Sequence, residues 1–301
     1  MKNIRIGSRN SPLALWQARE VARNLQNKNY KTEIIPIIST GDKNLNLPLY
    51  EMGITGIFTK DLDIALLNNE IDVAVHSLKD IPTKLPQNLS IIAYLKRDFP
   101  KDVLVKKESS KFKEHHELKI ATSSLRRRAF WLKDHPETEF YDIRGNVHTR
   151  LKKLEEQDFD ATIFSQAAIE RMKLKVDFEE LNNLIPAPGQ GVIAVVARTS
   201  DTETIGLVDF VNNTETQKCV EVERNFLQTL EGGCTAPIGA FAEIIDENMR
   251  FRGRIASVDG KNEIETDDIF PYNSMENFGE KIALQMLENG AKAIMEDIRS
   301  H

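Results

Sequence analysis

Ile185-Pro186-Ala187-Pro188-Gly189-Gln190-Gly191 interrupts an alternation of short β-rich runs with amphipathic helices, and another β-rich run, Gly191 to Ala197, follows it. Proline fixes φ and removes an amide donor, while glycine admits turns, so this stretch ends one set of regular elements before the next strand begins. An earlier break, Lys96-Arg97-Asp98-Phe99-Pro100-Lys101-Asp102, is polar, contains a proline and also separates two strand candidates. Two crossings between the same pair of lobes make a hinge. The first two thirds of the chain therefore read as two α/β lobes, the first of them discontinuous in sequence.

Working outward, the strand candidates are Asn3 to Gly7, Thr32 to Ser39, Ile71 to Val75, Ser90 to Leu95, Asp102 to Val105, Lys119 to Thr122, Phe140 to Ile143, Asp160 to Phe164 and Gly191 to Ala197. Helices fill the gaps, which is the pattern of βαβ units and predicts mixed, mostly parallel sheets. The clearest helix starts at Ser11, an N-cap, with Pro12 at the first helical position and Leu15, Ala18, Val21, Ala22 and Leu25 on one face. A second is expected from Phe58 to about Asn68. From Glu215 the pattern changes to a long helix reaching Leu230, strands around Ala240 to Ile244 and Arg250 to Ser257, and a final helix from about Ser274 to Glu288. That order predicts a small α+β domain at the C-terminus.

With 301 residues, 41% hydrophobic and 29% charged, the chain can bury real cores. Its N-terminus has no apolar run of signal-peptide length and no segment reaches the ~18 apolar residues of a membrane span, so a cytoplasmic protein without membrane association is expected. A net charge of -6 argues against non-specific nucleic-acid binding. The histidines and the 2 cysteines lack metal-ligand spacing, so no metal is expected. Arginines nevertheless recur at Arg9, Arg126, Arg127, Arg128, Arg144, Arg150 and Arg171, close to strand ends or helix starts. Local arginine clusters in an acidic protein suggest a small polyanion held in a cleft.

Four constellations carry chemistry. In Leu230-Glu231-Gly232-Gly233-Cys234-Thr235-Ala236-Pro237, a thiol follows two residues without side chains. Cys234 reads either as a small buried hydrophobe in a tight turn or as an attachment point open to a bulky group. In Lys119-Ile120-Ala121-Thr122-Ser123-Ser124-Leu125-Arg126-Arg127-Arg128, a short strand ends in hydroxyls that can cap the next helix. A helix start offers unpaired N–H groups to an anion, and arginine forks onto carboxylates. Tyr141-Asp142-Ile143-Arg144-Gly145-Asn146-Val147 repeats that arrangement, with Arg150 four residues after Asn146. Finally, Asp72-Val73-Ala74-Val75-His76-Ser77-Leu78-Lys79-Asp80-Ile81-Pro82 delivers a polar cluster at the C-terminal end of an apolar strand, where open α/β sheets bind ligands. A strand end of this kind is where a single working carboxylate would be placed.

Taken in order, these stretches, together with Ile6-Gly7-Ser8-Arg9-Asn10-Ser11-Pro12-Leu13-Ala14-Leu15-Trp16-Gln17-Ala18 and Pro188-Gly189-Gln190-Gly191, span nearly the whole chain. The chain resembles the porphobilinogen deaminases, also called hydroxymethylbilane synthases, of tetrapyrrole and heme biosynthesis. The resemblance implies two lobes like those of periplasmic binding proteins, assigned to 1–96 with 193–213 and to 100–190, and a cofactor-anchoring α+β domain at 215–301. It implies a dipyrromethane cofactor held by a thioether to Cys234. Porphobilinogen would lose ammonia to give an electrophilic azafulvene, which the terminal pyrrole of the bound chain attacks, and hydrolysis would release the linear tetrapyrrole.

By match to the family, Asp80 would be the catalytic carboxylate. Arg9, Arg126, Arg127, Arg144, Arg150 and Arg171 would bind cofactor or substrate carboxylates, with Ser77, Lys79, Thr122, Ser123, Ser124, Gly145, Gln190 and Phe58 joining them. The resemblance also implies a monomer that hands its product to a downstream synthase. The chain departs from the family pattern at Ile54 and Thr55, where glycine and lysine are common, at Ala121 in place of glycine, and in Phe164-Ser165-Gln166-Ala167-Ala168. Competing readings are a non-catalytic two-lobed anion carrier, an inactive family member and a DNA-binding regulator; the last would need a helix-turn-helix and a basic face, and neither is visible.

Overall fold

The computed structural model describes residues 2–38, 59–230, 236–272 and 277–300. Their contacts fall into two compact units, one drawing on residues 2–38, 59–98 and 190–218, the other on 99–189, 219–230, 236–272 and 277–300.

The first unit is built on a five-stranded sheet of β1 (Asn3–Arg9), β2 (Lys31–Ile37), β3 (Val73–Ser77), β4 (Leu89–Tyr94) and β10 (Ile193–Arg198), in the order β2-β1-β3-β10-β4. The helix Pro12–Gln26 begins as the sequence dictates: Ser11 accepts a hydrogen bond from the Ala14 amide at 3.3 Å, and Pro12 needs no amide partner. Its Ala18, Val21, Ala22 and Leu25 pack with Ile4, Ile6, Val73, Val75 and Val195 from one face of the sheet. A second helix, Lys60–Leu67, buries Leu62, Ala65 and Leu66 and packs on β1, β3 and β10.

The second unit holds a sheet of β5 (Asp102–Lys106), β6 (Ile120–Ala121), β7 (Phe140–Tyr141), β8 (Ala161–Ser165) and β9 (Glu179–Leu181), in the order β7-β6-β8-β5-β9. Both sheets are mixed. Each contains two parallel pairings, and each contains two antiparallel ones where a strand next to a crossing segment enters: β10 lies between β3 and β4, and β5 between β8 and β9. The chain reverses direction at those crossings, which the alternation of strands and helices does not reveal.

The helix Thr214–Thr229 begins in the first unit and continues from Cys219 in the second, where an antiparallel meander of β11 (Ile238–Ile245), β12 (Asn248–Ala256) and β13 (Glu263–Pro271) follows, then helices Phe278–Met286 and Lys292–Ser300. Phe226 and Phe251 meet edge to face at 5.1 Å in a core that includes Ile238, Ile255 and Met286. Helical structure after Glu288 is a departure from the sequence reading. Gly290 adopts φ 110 and breaks the regular helix, but the chain resumes helix after it. Among the described residues, no helix is long and apolar enough to cross a membrane.

The β-meander sits close against its neighbours within this unit. A Cβ on Gly239 would lie 2.7 Å from the Ile185 carbonyl oxygen and 2.8 Å from the Phe130 ring. Gly239→Ala is expected to lower stability by about 1–3 kcal/mol through overpacking against backbone. Thermal unfolding checks it; an unchanged midpoint would contradict the close approach.

Candidate functional site

In the first unit the C-terminal ends of the parallel strands β1 and β3 converge. Arg9 is the last residue of β1, Ser77 the last of β3, and a short 3-10 turn, Leu78–Asp80, follows. Arg9, Ser11, Gln17, His76, Ser77 and Asp80 line a pocket of about 60 Å³ there. The edge of an open α/β sheet at its strand C-termini is where such folds take ligands. Gln17, buried on the capped helix, donates from Nε2 to the Ser77 hydroxyl at 2.8 Å. Lys79 donates to the buried Gln190 Oε1 at 3.1 Å. The structure thus brings Arg9, Ser77 and Asp80 together and joins Lys79 to Gln190.

Burial shifts two titratable groups of this unit toward their neutral forms. His76, 5% exposed, has no hydrogen-bond partner at Nε2, and burial first and Arg9 second push its pKa down to about 4. Asp63, on the helix Lys60–Leu67, has an unpartnered Oδ1, and burial pushes it up to about 6 against an opposing hydrogen bond from Thr59.

Their effects on stability have opposite signs. Between pH 4 and 6, folded Asp63 keeps a proton that the unfolded chain has lost, so its contribution falls as pH rises. The unfolded chain protonates His76 below its ordinary value while the folded protein does not, so that contribution is lost as pH falls from 6.5 to 4. Asp63→Asn is expected to make stability rise more steeply with pH across this window, and His76→Asn to make it rise less or fall. Each displacement corresponds to roughly 3 kcal/mol. Melts at pH 4.5 and 6.5 check both; parallel pH profiles in wild type and variants would contradict them.

The second unit carries the arginine helix, Leu125–Leu132. Its capping follows the sequence reading: Ser124 Oγ accepts from the Arg127 amide at 3.4 Å, and Thr122 Oγ1 accepts from the Ser124 amide at 3.3 Å. Ser123 accepts from the Ile143 amide at 3.0 Å and donates to the Ile143 carbonyl at 3.1 Å, tying two strand ends together. These hydroxyls thus serve the local fold, beyond the carboxylate-binding role that the resemblance implies.

Arg126 and Arg127 are both buried and both reach Asp102, the first residue of β5. Arg127 donates from Nε and Nη2 to Asp102 Oδ1 at 3.1 and 2.7 Å, and Arg126 Nη2 lies 2.8 Å from Oδ2. Each also donates to a carbonyl, Arg126 to Ile185 and Arg127 to Ile163, at 2.7 Å. Two of the arginines expected to meet a ligand are therefore already engaged by an internal carboxylate. Burial pushes the Arg126 pKa down, with Asp102 opposing.

Arg150, on the helix Val147–Glu156, differs. It donates to Thr162 Oγ1 at 3.1 Å and the Ile163 carbonyl at 2.8 Å, and lies over the Phe164 ring at 4.3 Å. Its Nε is shielded and unpartnered, and among the described residues no carboxylate pairs with it. Desolvation first and Arg127 second push its pKa down to about 9, so it stays charged at neutral pH. Arg144 is half-buried beside Gly145, whose φ of 114 suits only glycine, and Arg171 is buried at the end of the helix Gln166–Arg171.

Sequence reasoning did not place Ser11 or Gln17 in the site, nor Asp102 beside the arginines. Ser11 was legible only as a helix cap, and Gln17 falls on the buried face of an amphipathic helix, where only its hydrogen bond reveals a second role. Asp102 reads both as the end of a polar linker and as the start of a strand, and nothing local ties it to the arginines. Cys234, Phe58, Ile54 and Thr55 lie outside the described residues.

A mixed α/β protein with a carboxylate and an arginine in one strand-end pocket, and an arginine cluster holding more positive than negative charge, has the groups to hold a carboxylate-rich small molecule. Comparison with known proteins makes this particular. The family model described as "Porphobilinogen deaminase, dipyromethane cofactor binding domain" matches residues 4–206, and that described as "Porphobilinogen deaminase, C-terminal domain" matches 217–288. Similar proteins include the porphobilinogen deaminase of Syntrophomonas wolfei, 39% identical with 99% of this chain and 100% of that protein covered, and that of Desulforamulus reducens, 40% identical with 99% and 98% covered. Among solved structures, a probable amino-acid ABC transporter extracellular-binding protein from Bacillus subtilis is similar at 13% identity and a TM-score of 0.43, covering 70% of this chain and 90% of that one.

The chain belongs to the porphobilinogen deaminase family. It is an enzyme of tetrapyrrole synthesis with dipyrromethane as its cofactor.

Proposed function

We propose that this enzyme condenses porphobilinogen units, with loss of ammonia, onto a dipyrromethane held through a thioether by Cys234, and releases linear hydroxymethylbilane by hydrolysis. The observation that carries the reading is Asp80 sharing one strand-end pocket with Arg9 and Ser77. The arginine cluster fits a carboxylate-rich group: Arg126 and Arg127 share the single carboxylate of Asp102, and Arg150, which meets Arg127 at the Ile163 carbonyl, leaves a shielded donor unused.

When bound, the dipyrromethane supplies the nucleophilic pyrrole carbon that starts the chain. Arg9 and Ser77 orient substrate carboxylates, and Arg144, Arg150 and Arg171 take those of the growing chain, with Lys79 and Gln190 as polar partners. Asp80 stabilises the positive charge that develops on the pyrrole nitrogen as the C–N bond to the leaving ammonia breaks. The same carboxylate assists removal of the α-proton after the new C–C bond forms. Lobes at 1–96 with 193–213 and at 100–190, a cofactor domain at 215–301, a cytoplasmic monomer and hand-off of the product to a downstream synthase belong to the same reading.

Incubation with porphobilinogen tests it. One ammonia released per porphobilinogen consumed, with a linear tetrapyrrole as product, is expected; no consumption would overturn the reading.

A further inference from the structure

We propose that Asp102 is a positioning residue for carboxylate recognition, holding Arg126 and Arg127 in one orientation so that Arg150 presents the uncompensated charge of the cluster to a ligand carboxylate. The inference rests on the function proposed above and adds a residue that neither the sequence motifs nor that mechanism uses.

Asp102 is 0% exposed and takes three guanidinium contacts from two arginines, Oδ1 from Arg127 and Oδ2 from Arg126. The two hydrogen bonds to Oδ1 fix the plane of the Arg127 fork, because a guanidinium is rigid and planar, while the ion pair at Oδ2 holds Arg126 beside it. The grip continues through the backbone. Arg127 Nη1 and Arg150 Nη2 donate to the same Ile163 carbonyl, at 2.7 and 2.8 Å, so the two like charges stand as neighbours on one acceptor.

Asp102 offsets charge at Arg126 and Arg127, whereas among the described residues Arg150 has only neutral acceptors, an aromatic face and a shielded, unpartnered Nε. Three guanidiniums against one carboxylate leave a surplus of two positive charges. One pyrrole bearing an acetate and a propionate carries two negative charges. Without Asp102, Arg127 loses the partner that sets its position, and its repulsion with Arg150 disturbs the acceptor they share.

The test uses the cofactor-loaded enzyme with Asp102→Asn and Asp102→Glu. The probe is a pyrrole carrying acetate and propionate but no aminomethyl arm, which cannot react; its affinity is measured by calorimetry, alongside KM and kcat for porphobilinogen. Asp102→Asn is expected to weaken probe binding and raise KM by about tenfold or more while kcat changes by less than about threefold, the scale of losing one well-placed charge-assisted contact. Asp102→Glu, which keeps the charge but displaces the forks, is expected to lie between wild type and Asp102→Asn. Probe affinity and KM within about twofold of wild type in folded, loaded Asp102→Asn, with only the melting temperature lowered, would overturn the proposal. If that variant does not fold, unchanged probe affinity in Asp102→Glu overturns it and weakened affinity supports it. A wild-type enzyme that neither binds the probe nor consumes porphobilinogen overturns the underlying function and this inference with it.

Discussion

Asp80→Asn is expected to carry its cofactor and to lose about 10²- to 10⁴-fold in kcat, the range of a positioned acid–base group. Asp80 closes the 3-10 turn after β3 and lines the pocket with Arg9 and Ser77. Asparagine preserves size and hydrogen-bonding reach, so a ligand can still enter, but it offers no negative charge to the nitrogen that becomes cationic as ammonia departs and cannot accept a proton. The loss should fall on kcat rather than on KM, because the arginines that recognise carboxylates are untouched. Single-turnover kinetics on the loaded variant checks this. A rate near that of wild type would remove Asp80 from the mechanism.

The second large effect is at Cys234. Cys234→Ala is expected to abolish turnover. A thioether needs the sulfur nucleophile, and the other of the chain's 2 cysteines, Cys219, is buried in the C-terminal core. The variant should fold, because the core of the C-terminal sheet is built from Phe226, Ile238, Phe251, Ile255 and Met286. Its far-ultraviolet spectrum should therefore match wild type while porphobilinogen consumption is absent. Sustained turnover in the variant would mean that the chain grows on something other than this sulfur.

The two lobes were legible because proline, glycine and polar breaks mark the crossings, and because Ser11 and Pro12 announce the first helix in a way that the structure repeats bond for bond. Strand direction was not legible. Whether β10 runs with or against β3 is decided by where the chain re-enters the sheet, a long-range matter that local periodicity does not carry. Strand β13 is hard to read because Glu263, Glu265, Asp267 and Asp268 dilute its apolar alternation; in the structure Arg250 and Arg254 on β12 answer three of those charges, Asp267, Glu265 and Glu263. Glu179-Glu180-Leu181 was likewise too short and too acidic to read as β9.

At the site, types were legible and allegiances were not. Arginine at a helix start signals an anion, but sequence does not say whether that anion is a ligand or a neighbour. Arg126 and Arg127 turn to Asp102, whereas Arg150, on a neighbouring helix, does not. Gln17 shows the converse, a polar residue on a buried face whose role is visible only through the Ser77 hydroxyl it meets.

The most direct test of the central claim is the intact mass of the purified protein after incubation with porphobilinogen, with Cys234→Ala treated identically. The expected result is a wild-type mass above that of the bare chain by two deaminated porphobilinogen units, with no such increment in the variant. An unmodified wild-type mass would contradict the claim, and a two-lobed anion-binding protein without this chemistry would then be the better reading.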